Sequence, residues 1–185
     1  MDIMTDEILM MSYRENKDFR LFNELIGRYA KPALSIARSY MTDEAGAEDA
    51  LQEAFIRIMN KCDQFRANQP FAPWFYRILR NICIDMIRRR KMHAVLAMRY
   101  VNETESSSGD RSLADATPYR ALVGKLSSRE REVVLLKIAQ DLSFEEIAQI
   151  VGCSVEAAKK RSQRGIARLR ELAQGARMRL QQTGT

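Results

Sequence analysis

Histidine and cysteine are scarce in this chain. Among its 185 residues there is one histidine, His93, and three cysteines, Cys62, Cys83 and Cys153, far apart and never in a CxxC pair. A protein-encoded zinc site draws several such ligands into close spacing, so no metal is expected, nor a Cys–His nucleophile. A phosphate-cradling glycine loop and a Ser/His/Asp set are also missing from the sequence, which argues against most nucleic-acid-processing chemistry. No run approaches the roughly 18 apolar residues of a membrane span. Residues 1–16 carry Asp2, Asp6 and Glu7 and lack a long apolar centre, so they do not read as a secretory signal. The chain is therefore expected to stay in the cytoplasm, with reduced thiols, no membrane insertion and no cofactor.

What is present fits a globular protein: 46% hydrophobic residues, 29% charged, and a net charge of +6. The length suits one ordinary domain or two small ones. The clearest break is the stretch 102–118, NETESSSGDRSLADATP, with a serine run, one glycine, four acids against one arginine and no aromatic. That is linker composition. The boundaries expected are a first domain over 1–95, a linker over 96–118, a second domain over 119–176 and a tail over 177–185.

Both flanks read as helix, because apolar positions recur at three and four and strict alternation is absent. Ala47, Ala50, Leu51, Ala54, Phe55, Ile58 and Met59 form one stripe, with Glu48 and Asp49 expected in the first turn of that helix. Upstream, the apolar positions from Phe19 to Tyr40 give a second helical segment that Pro32 is expected to kink or divide. The stretch 61–73 is polar with two prolines, and helix resumes from Trp74 to Lys91. In the second domain Ser127-x-x-Glu130 and Ser143-x-x-Glu146 are capping boxes. The run from Phe144 to Val151 stops at Gly152-Cys153-Ser154, where Gly152 suits a left-handed C-cap and Ser154 an N-cap. A short helix, a tight turn and a long helix are helix-turn-helix grammar. The fold class expected is all-α, two small helical domains joined by a flexible linker, the second a helix-turn-helix.

The positive charge sits in two stretches. Arg77 to Lys91 holds six basic residues against Asp85, and Lys159 to Arg170 holds six with no acid. A lone basic run is as readily a solvated helix end as a binding surface. The second run begins one turn inside the helix after the tight turn, where a recognition helix enters the major groove. Lys159, Lys160, Arg161 and Arg164 reach phosphates and guanine edges there, while Val155, Ala158, Ile166, Leu169 and Leu172 are expected to face the domain. A stand-alone helix-turn-helix regulator remains open on these grounds, as does a merely wet face for Asp49, Gln52 and Glu53.

From about Phe19 to Leu172 the chain resembles the bacterial extracytoplasmic-function (ECF) sigma factors, small specificity subunits of RNA polymerase. Three stretches carry the resemblance: Ala47-Glu48-Asp49-Ala50-Leu51-Gln52-Glu53-Ala54-Phe55; then Phe65-Arg66, Phe71, Trp74, Ile78, Asn81, Asp85 and Arg88-Arg89; then Leu126 to Leu172 with Phe144-Glu145-Glu146-Ile147-Ala148, Gly152, Lys159, Arg161 and Arg164. The chain departs from the usual recognition-helix start, reading Ala157-Ala158-Lys159-Lys160-Arg161-Ser162.

The resemblance implies that Asp49, Gln52 and Glu53 dock on the clamp helices of the largest subunit of core RNA polymerase. It implies that Phe65, Arg66, Asn68 and Asn81 line a pocket for an unstacked promoter base, with Arg77, Arg80, Arg88 and Arg89 on the downstream-element phosphates; Trp74 and Phe75, in an aromatic cluster of an all-helical domain, are expected in the core on their own account. Ser154, Lys159, Lys160, Arg161 and Arg164 would contact the upstream element. Promoter DNA and an anti-sigma factor are the other partners implied, and catalysis would belong to the polymerase. The seventeen residues 102–118 reach at most about 56–61 Å, elements roughly 17 base pairs apart lie about 58 Å apart, and the folded domains add their own width, so one chain can hold both.

Overall fold

Helix caps set the architecture. In a computed structural model of the chain, which describes residues 4–41, 43–100 and 122–182, every element is helical. The chain divides into two compact units, 1–111 and 112–185.

The first unit opens with α1 (Asp6–Asn16), capped by the Thr5 hydroxyl, which accepts from the Ile8 N–H at 3.3 Å. Asp6 and Glu7 lie in its first turn and Leu9, Met10 and Tyr13 are buried. This helix was not among the elements read from the sequence, although a threonine followed by two acids is a start signal. Next come α2 (Phe19–Tyr40), α3 (Glu44–Asn60), a 3₁₀ turn over Cys62–Gln64, and α4 (Phe71–Tyr100). Pro32 does not divide α2, which runs through it unbroken. Helix α3 begins at Glu44 rather than Ala47, because Asp43 is its N-cap, so Glu48 and Asp49 fall in the second turn. Helix α4 starts three residues before Trp74 and continues to Tyr100, into the stretch expected as linker. Pro73 falls in its first turn, where a missing N–H costs nothing. The rest of the expected linker, 101–118, lies outside the described residues.

The core of this unit sits between α2, α3 and α4, with α1 packed on α2. Alanines 47, 50 and 54 are fully buried along α3, which lets the helices approach closely. Phe75 is fully buried and stacks near Phe55 and Phe71. Two polar ties fix α1 in place. Glu7 Oε1 accepts from the Phe71 N–H at 2.9 Å and so caps α4 from a distance, and Asp6 accepts from Arg28 and from the Tyr29 hydroxyl. Burial and the Asp6 carboxylate together push the Tyr29 phenol well above its ordinary range, so it remains a donor.

In the second unit, residues 122–124 are helical and are followed by α5 (Ser128–Gln140), α6 (Phe144–Val151) and α7 (Val155–Gln182). Both capping boxes form, with Ser127 and Ser143 each bonded reciprocally to the glutamate three residues on. Gly152 adopts φ 72°, closing α6 in the left-handed conformation that favours glycine. Residues 177–182, expected as tail, continue α7.

Candidate nucleic-acid interface

In the helix-turn-helix, Gly152 turns the chain and the Ser154 hydroxyl caps α7, accepting from the Ala157 N–H at 3.2 Å. The cap sets where the helix starts, and so which residues point outward. Ala158, Ser162 and Gly165 are buried, and Lys160 and Arg164 are exposed on the opposite face. Arg161 is half-buried on one flank. Lys159, half-buried on the other, lies 3.5 Å from Glu156 Oε1.

The face turned to the domain differs from the apolar row expected. Ile166, Leu169 and Leu172 are half-buried, and closest approach is made by Gly165, where an added Cβ would lie 2.7 Å from Val134 Cγ2 on α5. Period counting passes over a glycine and a serine because neither is apolar, yet small residues are what close helix contact requires. This approach brings Lys160, Arg161 and Arg164 alongside the start of α5, forming a groove of about 330 Å³ that Arg129 also lines. Glu130 also lines it, with Oε1 3.9 Å from Arg164 Nε while Oε2 serves the capping box. Arg129 escaped the sequence reading because it stands outside both basic runs. Its position two residues after the cap serine was the available signal.

In the first unit, α3 turns Asp49, Gln52 and Glu53 to solvent together. Ile56, one turn on, is 49% exposed beside them, an apolar residue amid polar ones that the stripe did not include. Glu53 is ion-paired with Arg57 at 2.7 Å, so a partner's arginine would have to share or displace that contact.

The loop after the 3₁₀ turn leaves Arg66, Ala67 and Asn68 exposed. Phe65, expected to line a pocket, is instead a core residue, 1% exposed and packed on Phe71 and Trp74 at 5.9 and 5.1 Å. Trp74, expected in the core, is half-buried above it. The two rings exchange roles because Phe65, the smaller and wholly apolar one, fits beneath the loop. Its carbonyl accepts from Arg14 Nη1 at 3.1 Å, which ties the loop to α1.

Along α4, Trp74, Arg77, Asn81 and Arg88 fall on one side at helical spacing, and all but Trp74 are exposed. Asn81 lies two turns, about 10 Å, from Trp74. Arg80 is half-buried away from this row, and Arg89 is exposed on a different side from Arg88. The next basic residue, Arg90, turns to the start of α3, with Nη1 2.5 Å from Asp43 Oδ2.

Two helical units, one carrying a helix-turn-helix with a basic outer face, define a DNA-binding protein of transcription. Residues 25–92 match sigma-70 region 2 and residues 117–169 match sigma-70 region 4. The chain is 30% identical over 163 residues to the ECF RNA polymerase sigma factor SigW of Bacillus subtilis strain 168, spanning 81% of this chain and 87% of that one. It is also 30% identical to the sigma factor CarQ of Myxococcus xanthus, over 82% of this chain and 88% of CarQ. Among solved structures it is similar to CnrH in complex with the cytosolic domain of CnrY (TM-score 0.66, 27% identity, 92% of this chain and 97% of that one). It is likewise similar to RpoE in complex with the anti-sigma factor NepR from Bartonella quintana (TM-score 0.66, 28% identity, 85% and 98%). The chain belongs to the ECF sigma factors of bacterial RNA polymerase.

Proposed function

We propose that this chain directs core RNA polymerase to promoters and opens them, acting in the cytoplasm as a non-enzymatic subunit while the polymerase does the chemistry. Asp49, Gln52 and Glu53, with Ile56 as an apolar anchor, form the face for the clamp helices of the largest subunit. Carboxylates suit arginine partners there, and an exposed isoleucine adds area that only a partner buries. Arg66 and Asn68 in the loop, with Asn81 on α4, read an unstacked base of the downstream element, and Arg77, Arg80, Arg88 and Arg89 serve its phosphates. Phe65 holds that loop from below. Ser154, Lys159, Lys160, Arg161 and Arg164 engage the upstream element, with Arg129 as a further phosphate contact. Within these two units, residues 1–95 form the polymerase-binding and promoter-opening domain and residues 119–176 the upstream-element domain. An anti-sigma factor is the regulatory partner.

The observation that carries this reading is a recognition helix and an outward acidic row, on separate units of one chain. The test is to add the protein to core polymerase and a promoter library and sequence the transcripts. Promoter-specific RNA that requires the protein is expected. A protein that binds a palindromic duplex as a dimer but yields no such RNA would be a stand-alone regulator instead.

A further inference from the structure

Arg90 stands in the basic run Arg88-Arg89-Arg90-Lys91, and nothing in the sequence distinguishes its guanidinium from those of Arg88 and Arg89 beside it. The structure separates them. Arg90 reaches to residues 47 positions earlier, where Asp43 caps α3. Asp43 Oδ1 accepts from the Gly46 N–H at 2.7 Å while its Oδ2 takes Arg90 Nη1 at 2.5 Å, so one carboxylate both caps the helix and binds the arginine.

Gly46 completes the arrangement. A Cβ there would lie 2.5 Å from Arg90 Nη2, 3.2 Å from its Cζ and 3.0 Å from Asp43 Oδ1. The guanidinium thus lies against the first turn of α3 in space that only glycine leaves open. Next to it Arg38 of α2 pairs with Glu44, the first residue of α3. The start of α3 is held from α2 and from α4 at once.

We propose that Arg90 is a positioning residue for the polymerase-docking row of α3 and not a DNA contact. This rests on the reading that Asp49, Gln52 and Glu53 dock on the polymerase. Arg90 and Asp43 are each about half exposed, so their attraction alone is weak. Its effect comes through the cap: the carboxylate must hold one orientation to serve the Gly46 N–H, and the guanidinium fixes that orientation. A phosphate would have to compete with an adjacent carboxylate for Arg90, and winning would release the restraint on the capping carboxylate of the helix that carries Asp49. Arg88, whose Nη1 stands 4.0 Å from Asp85 Oδ1 and which is more exposed than Arg90, and Arg89 remain for the nucleic acid.

The test uses the full chain and two titrations, one with core polymerase and one with a single-stranded downstream-element oligonucleotide at several salt concentrations. Arg90→Ala should weaken core binding about fivefold, the size of a lost N-cap contact. Its slope of log K against log salt on the oligonucleotide should match wild type, whereas Arg88→Ala should reduce that slope by about 0.7. Gly46→Ala supplies a second route, because it displaces the guanidinium while keeping every charge and raising helix propensity. It should weaken core binding to a similar degree with helicity unchanged. In the Arg90→Ala background most of that loss should disappear, since the guanidinium contacts are then gone and only the 3.0 Å approach to Asp43 Oδ1 remains. Wild-type core affinity in Arg90→Ala overturns the proposal, and so does a salt slope lowered as in Arg88→Ala. Additive losses in the double variant would show that Gly46 and Arg90 act separately and would also overturn it. Glu53→Lys is the control for the underlying reading: normal core binding by that variant would place the docking face elsewhere, and the proposal would fall with it.

Discussion

Glu53 shows how a single residue divides its work between the fold and a partner. Its carboxylate is partly exposed and already paired with Arg57, four residues on. Such a pair contributes a few tenths of a kcal/mol to the helix, so its loss hardly touches folding. Glu53→Lys puts two like charges in that place and presents a cation to a partner surface read here as cationic. Core binding should weaken by about 2–5 kcal/mol, while the melting temperature moves little. Calorimetric titration with core polymerase and thermal melting of the variant alone separate the two effects. At the same scale the sequence was least able to sort aromatic rings. Phe65 stands in a polar stretch and Trp74 in an aromatic cluster, yet it is Phe65 that lies beneath the loop, and nothing in their spacing says so. Burial of Phe65 is decided by α1 and α4 closing over it, through Arg14 on its carbonyl and Glu7 on the Phe71 N–H. Contacts between residues 51 and 64 positions apart leave no local pattern.

At the scale of elements, legibility followed the caps. Both capping boxes, Gly152 and Ser154 were readable because each is a local hydrogen-bond solution written in adjacent residues. The start of α3 was missed by one turn because Gly46, against which the Arg90 guanidinium lies, breaks the apolar stripe. The seam of α7 was misassigned for the same reason at Gly165. Gly165→Ala should therefore destabilise the second unit by about 1–3 kcal/mol despite its gain in helix propensity, since Val134 must move to admit the methyl. Urea unfolding of the variant checks this, with Gly27→Ala as the comparison, because an added Cβ at Gly27 meets open space and its effect should be neutral or stabilising. On the outer face of α7, Arg164→Ala should lower the salt slope of duplex binding only in part, because Glu130 Oε1 lies 3.9 Å from its Nε, whereas Lys160→Ala should lower it by about 0.9 if it neutralises one phosphate. Arg129→Ala should do the same. Lys159→Ala should have a smaller effect, because Glu156 already neutralises part of its charge.

At the scale of the whole molecule the decisive event is opening of the duplex, which recruits every surface described. On the proposed reading, a base that meets Arg66, Asn68 and Asn81 must first leave the stack, at a cost of a few kcal/mol. Asn81 is exposed on the row with Arg77 and Arg88, so its amide can donate and accept on a base edge while the arginines hold the strand. Asn81→Ala leaves α3 and its outward row untouched, and core binding should be that of wild type. Open complexes on duplex promoter should form more slowly, by about tenfold for the loss of 1–2 kcal/mol of base recognition. On a promoter with a pre-melted bubble part of that loss should return, because the unpairing has already been supplied and only the reading of the base is missing. Permanganate reactivity of the melted thymines, followed in time on both templates, is the measurement. The two templates discriminate the roles: a residue that only gripped the phosphates would lose equally on both, and a residue needed only for docking would lose core binding first. Wild-type opening by Asn81→Ala on the duplex would place the base pocket away from this row of α4.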